Sequence, residues 1–208
     1  MNGLTLHQKL ENHAGLLIFG IVVVAAMGGL VQVLPSIFQE SLAEASENVR
    51  PYTAVELAGR DLYIREGCHV CHTQQIRPLV AEVERYGPYS RAGEFVYDRP
   101  FLWGSKRTGP DLHRVGGRYT DIWHEVHLID PRAVVPDSIM PAYPWLAERQ
   151  LETGDIAARM RALQTLGHPY TEEEIAGAEA ALEGLREIDA LIVYLQMLGT
   201  SIPEEVYP

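Results

Sequence analysis

Residues 65–75 read "REGCHVCHTQQ" and hold the only two cysteines of this 208-residue chain, Cys68 and Cys71, with His72 directly after the second. Four chemistries use such a pair. A structural zinc site needs four ligands, and no second cysteine pair exists; His69 or a distant histidine would have to complete one. A thiol–disulfide module prefers a strand before its C-x-x-C turn, whereas the residues ahead of Cys68 have helical spacing. A disulfide inside C-x-x-C closes a very small loop and is rarely structural. The adjacent histidine separates the fourth chemistry from the rest. C-x-x-C-H is the attachment signature of c-type haem, in which two thiols form thioethers and the next imidazole is held at the iron.

A haem so held takes a sixth ligand from elsewhere. Met1 is the first residue and Met27 lies in a long apolar run, while Met160 and Met197 fall in amphipathic stretches where methionine is usually core filler. Met140 stands in "DSIMPAYPW", a proline-stiffened loop able to hold a thioether rigidly, and is the expected ligand. His113, His124 and His127 are the alternatives. Methionine–histidine ligation raises the reduction potential and leaves no open iron position, so such a centre moves electrons and binds no substrate.

The elements that would position these residues can be read around them. "AGLLIFGIVVVAAMGGLVQVL", residues 14–34, carries no charge. At helical rise it spans about 30 Å, the hydrocarbon thickness of a bilayer, and it exceeds a signal-peptide core. It is expected to be a retained transmembrane helix, after a cytoplasmic segment 1–13 and before a helical extension and linker over 35–50. Lys9 before it and Glu40, Glu44 and Glu47 after it favour a cytoplasmic N-terminus. Ala25 and Gly29 stand four apart, a spacing that lets another helix approach closely. The formal charge of −11, from 17 Lys and Arg against 28 Asp and Glu, argues against a phosphate-neutralising role, so no nucleic-acid partner is expected.

Beyond residue 51 the chain reads as helices and loops. Thr53 and Glu56 form a capping-box pattern ahead of "AVELAGRDLYIR", Thr120 caps "DIWHEVHLI", and Thr171 with Glu174 opens another helix. A helix is also expected over 154–166, and "LREIDALIVYLQML" closes the domain. Residues 73–108, rich in Gly, Pro, Arg and Tyr, read as an extended and largely irregular insertion. Glu172, Glu173, Glu174, Glu179, Glu183, Glu187 and Asp189 give the C-terminal part a negative face, able to steer a basic donor or simply solvated.

With those blocks in order, residues 51–200 resemble a class I cytochrome c: helix, "CHVCH", "TGPDLH", methionine loop, closing helix. The resemblance implies an all-α fold in which the first and last helices cross, Gly59 and Tyr63 meeting Leu191, Tyr194 and Leu195. It also implies that the Pro110 carbonyl orients His72. "GCHVCHTQQIRP", "YDRPFLWGSKRTGPDLHRVGGRY" and "DPRAVVPDSIMPAYPWL", together with the anchor, resemble more narrowly the mono-haem cytochrome c subunit of cbb3-type cytochrome c oxidases. What this resemblance implies is a single-pass inner-membrane protein with a periplasmic haem domain over 51–208. It would carry one covalently bound haem c on Cys68 and Cys71, with His72 and Met140 as axial ligands. Its electrons would pass to haem b of a large haem–copper subunit that reduces O2. The donor would be a di-haem subunit or a soluble cytochrome c. The resemblance further implies a calcium at the partner interface, with Ser105 as a contact. Arg77, Tyr86, Tyr89, Tyr97, Arg99, Phe101 and Trp103 of the insertion are expected at that interface, and the basic residues of "WGSKRTG" near haem propionates. The small cytochrome subunit of a nitric oxide reductase, and a tethered electron carrier without a permanent partner, are the alternatives. The long insertion favours the oxidase.

Overall fold

The computed structural model describes residues 5–38 and 44–201. They fall into two units, divided between Glu44 and Ala45. The described part of the first unit is a helix pair. Thr5 and Gln8 form a capping box that starts α1, Leu6–Asn12. The second helix, α2, runs Ala14–Ile37. It is apolar on every side, with mean hydropathy 2.5 over Ala14–Pro35 and nothing buried by the chain itself, so it is long and apolar enough to cross a membrane. The helix continues past the expected end at Leu34 through Pro35. A proline this close to the terminus removes only one of the last backbone hydrogen bonds.

The second unit is built of helices, and no strand occurs among its described residues. Its first helix, α3, is Ala54–Arg65. Thr53 Oγ1 accepts the Glu56 N–H, and the Glu56 carboxylate accepts the Thr53 N–H at 2.7 Å, as the sequence pattern requires. A single turn, α4, Cys68–Cys71, follows after Gly67, whose φ of +74° suits glycine. Then come α5, Val80–Tyr86; a 3-10 turn, Ala92–Phe95; α6, Asp121–Ile129; α7, Pro131–Val134; and α8, Trp145–Glu148. The chain closes with α9, Ile156–Thr165; α10, Glu172–Leu182; and α11, Glu187–Met197.

The core is the crossing of α3 and α11. Gly59 makes it possible, because a Cβ there would lie 2.1 Å from the Ala190 carbonyl oxygen and 2.7 Å from Tyr194 Cβ. Tyr63 packs its ring 5.5 Å from that of Tyr194, and both are buried. Leu191 and Leu195 complete the buried face of α11. The stretch between α8 and α11 has a clear structural role. Helices α9 and α10 pack on α3 and bury Ile156, Met160, Ile175 and Leu182, while the Tyr170 hydroxyl donates to the Tyr52 carbonyl at 2.8 Å.

The insertion is more ordered than its composition suggests. It contains α5 and the 3-10 turn, and it is pinned to α3 by a buried ion pair: Arg60 Nε donates to Asp98 Oδ1 at 2.6 Å, and Tyr52 Oη donates to the same carboxylate at 2.9 Å. Phe95, Phe101 and Trp103 form a ring cluster that also takes in His113. Of the seven insertion residues expected at an interface, Tyr86 is buried within the domain, Tyr97, Phe101 and Trp103 are half-buried, and Arg77, Tyr89 and Arg99 are exposed. The acidic face is also smaller than expected. Glu187 is buried against the Arg65 guanidinium at 2.6 Å and Asp189 pairs with Arg186, leaving Glu172, Glu173, Glu174, Glu179 and Glu183 exposed on or beside α10.

Candidate haem-attachment site

The Cys–Cys–His turn is suspended from the rest of the fold by its backbone. Tyr63 Oη donates to the His72 carbonyl at 2.8 Å, so the core crossing reaches directly to the residue after the second cysteine. Gly109 N donates to the Cys71 carbonyl at 3.0 Å and Leu112 N to the Thr73 carbonyl at 3.0 Å. Gly104 N donates to Thr73 Oγ1 at 3.0 Å, and Gln74 Nε2 to Tyr194 Oη at 2.8 Å. Three distant segments therefore fix one short turn.

The His72 ring is fixed in turn. Its Nδ1 lies 2.8 Å from the Pro110 carbonyl, which can only accept, so the proton sits on Nδ1 and Nε2 keeps its lone pair. Gly109 lies against the ring, and a Cβ there would come within 2.2 Å of His72 Cε1. Burial lowers the pKa of His72, favouring the neutral form that binds metal. The "GP" pair thus acts twice: its glycine gives the imidazole room and its proline carbonyl orients it. Such an outer partner holds a ligand's tautomer and direction.

Cys68 is half-buried, Cys71 is exposed, and both thiols are free. Burial, and then Glu66, push the Cys68 thiol up to about 12. A redox dithiol needs the opposite shift, toward thiolate. Among the described residues no three His, Cys, Asp or Glu side chains converge as a metal site, so a second half for a zinc site is missing there. Met140 is half-buried against the core, as are Cys68, Leu112 and Tyr143. Its loop is held by Met140 N donating to Ser138 Oγ at 3.2 Å and by Tyr143 N donating to the Leu128 carbonyl at 2.8 Å.

The three histidines raised as alternatives to Met140 stand in different surroundings. His113 is engaged at both nitrogens, with Ser90 Oγ at 2.6 Å from Nδ1 and Glu94 Oε2 at 3.0 Å from Nε2, and it serves the insertion. His124 is buried with Nε2 unpartnered. His127 stacks on Trp123 at 4.6 Å with Nδ1 buried and unpartnered. Trp103 Nε1 and Arg107 Nε are likewise buried donors without an acceptor. Ser105 lies exposed in the bend between them. The neighbouring Arg107 guanidinium donates to the Gly104 and Gln75 carbonyls at 2.9 and 2.8 Å, tying that bend to the segment after His72.

This donor set fits a tethered haem: two free thiols three residues apart, an imidazole with Nε2 free, a thioether on a braced loop, and buried N–H groups in need of anionic acceptors. The family model for the cytochrome c oxidase mono-haem subunit, FixO, matches residues 7–184. The chain belongs to that family. A comparison with curated proteins found no match. Membership of FixO implies one haem and association with other oxidase subunits, and with α2 it fits a membrane-anchored protein. The match ends before α11, the helix whose Tyr194 holds Gln74.

Sequence reasoning singled out the cysteines, His72, Pro110 and Met140 as candidates. It missed Thr73, Gly104 and Asp111. Asp111 is buried, its Oδ1 accepts the His113 N–H at 2.8 Å, and burial raises its pKa to about 6. No spacing rule marks such residues, since their partners lie more than thirty positions away or belong to the backbone.

Proposed function

We propose that this chain is the electron-relay subunit of a cbb3-type haem–copper oxidase, anchored by α2 in the inner membrane, N-terminus cytoplasmic and second unit periplasmic. Cys68 and Cys71 would tether the haem through thioethers. His72 would offer Nε2 to the iron, with the Pro110 carbonyl keeping the imidazole in that tautomer, and Met140 would be the other iron ligand. When bound, a haem c would supply a one-electron couple, suited to passing electrons and not to binding O2. The relay runs from a di-haem subunit or a soluble cytochrome c to haem b of the large subunit, where O2 is reduced. Ser105, exposed beside the well-held 104–107 bend, is the proposed contact for a calcium at the subunit interface.

The observation that carries this reading is the His72–Pro110 contact of 2.8 Å next to two free thiols, in a chain of the oxidase subunit family. The test is the metal content of the complex that co-purifies with the full chain from membranes in mild detergent. Copper with b-type haem in a large subunit is the expected result. Non-haem iron in copper's place would move the reading to a nitric oxide reductase, and haem c alone to a tethered carrier. Within the complex, Met140→Leu is expected to keep covalent haem, lower its potential and slow turnover. An unchanged potential would remove Met140 from the ligand set.

A further inference from the structure

In a chain of formal charge −11, one surface of the second unit is basic. Arg77, Arg85, Arg91 and Arg118 are exposed there. Between positions 77 and 91 the one exposed carboxylate is Glu84, because Glu82 is buried in an ion pair with Arg77. The fold gathers these charges. Ser90 N donates to the Ile76 carbonyl at 2.9 Å and Ile76 N to Ser90 Oγ at 2.8 Å, which brings Arg77 beside the 89–91 segment. There the Arg91 guanidinium lies 5.3 Å from the centre of the Tyr89 ring. Arg85 stands near the far end of α5, with Arg118 Nη2 3.5 Å from its carbonyl oxygen. A helix of seven residues is about 10 Å long, so one face spans the group.

Within this basic frame the surface is apolar. Leu79 and Val80, at the start of α5, are exposed to 50% and 74%. Arginine and tyrosine around exposed aliphatic side chains make the composition of a segment lying in a membrane interface. Alkyl groups enter the acyl boundary, guanidiniums reach the phosphates, and a tyrosine ring sits at headgroup level. The entry of the chain favours the same occupant. Ser46 N donates to the Gly93 carbonyl at 2.8 Å, so the chain joins the second unit at the insertion. Ser46 comes eight residues after Phe38, and eight residues reach at most about 28 Å. A bilayer crossed by α2 therefore stays within that reach of Gly93.

We propose that the Arg77–Arg91 face of the insertion docks on anionic phospholipid headgroups, with Leu79 and Val80 entering the interface. This rests on the reading of α2 as a membrane span. A span and a surface contact together leave the second unit fewer orientations than a single tether does.

The test is amide hydrogen exchange of the full chain in nanodiscs, made of phosphatidylcholine alone or with phosphatidylglycerol. Amides of 77–91 are expected to exchange several-fold more slowly with phosphatidylglycerol present, and high salt to shrink the difference. Amides of α10, whose exposed carboxylates such a surface repels, should exchange alike in both. Arg85→Gln with Arg118→Gln, and separately Val80→Ser, alter only exposed side chains, and each is expected to reduce the protection. Equal exchange of 77–91 in the two lipids overturns the proposal. So does protection that appears only when other oxidase subunits co-purify, which would make this face a protein interface. A chain that stays out of the discs altogether would overturn the anchor reading, a separate outcome that removes the proposal with it.

Discussion

At the scale of single residues, the candidate site is a set of small fixed decisions around one imidazole. Pro110 selects the tautomer, Gly109 yields the space, and Tyr63 and Thr73 hold the backbone on either side. Asp111, next to Pro110, has a measurable cost. Its carboxyl is buried, and that burial pushes its pKa up to about 6, above the ordinary carboxylate range. A carboxyl raised on folding binds its proton more tightly in the folded state, so stability falls as pH rises from about 4 to 6 and the cost is complete above that window. Asp111→Asn, which still accepts the His113 N–H, is expected to be more stable than wild type at pH 7. The difference should vanish near pH 4, as thermal unfolding of both chains across that range would show. A variant equally stable at every pH would mean the carboxyl is satisfied by groups the fold does not supply. The cysteine pair, His72 and Met140 could be singled out because covalent chemistry and ligand type restrict which residues are candidates, and Pro110 entered only through the family resemblance. Asp111 was not, since an aspartate after proline looks like any turn residue until burial is known.

At the scale of elements, legibility followed capping chemistry. Thr53 with Glu56, Thr120, and Thr171 with Glu174 each mark a helix start by satisfying orphan N–H groups, and α3, α6 and α10 begin where these pairs stand. The four-residue helices α4, α7 and α8 escaped notice because one turn carries no periodicity. The insertion was misread for another reason: its order comes from long-range polar contacts, which leave no local pattern. Asp98 reaches Tyr52 across 46 positions and Arg60 across 38. Both partners of the Arg60–Asp98 pair are buried, so removing one strands the other. Asp98→Ala is expected to cost about 3–5 kcal/mol, seen as a lower urea midpoint, whereas Arg60→Met with Asp98→Leu recovers much of it. If the single and double variants unfold alike, the insertion is held by its ring cluster and not by the ion pair.

At the scale of the whole molecule, the site lies between two helices that meet from opposite ends of the second unit. Arg65 pairs with Glu187 across 122 positions and Gln74 with Tyr194 across 120. Contacts so remote impose a large loop-closure entropy before they return any stability, and folding slows accordingly. The largely exposed 152–155 turn interrupts that circuit harmlessly: the backbone just before it is already paired, Leu151 N donating to the Leu185 carbonyl at 2.8 Å, and a Cβ added at Gly154 would meet nothing within 4 Å. A protease nick at Gly154 is therefore expected to leave two pieces that remain together, with the haem spectrum intact until denaturant parts them. Loss of the spectrum on nicking alone would show that the bend bears strain. Because α11 lies on the second piece and the cysteines on the first, the domain is in effect a complementing pair joined by a tether.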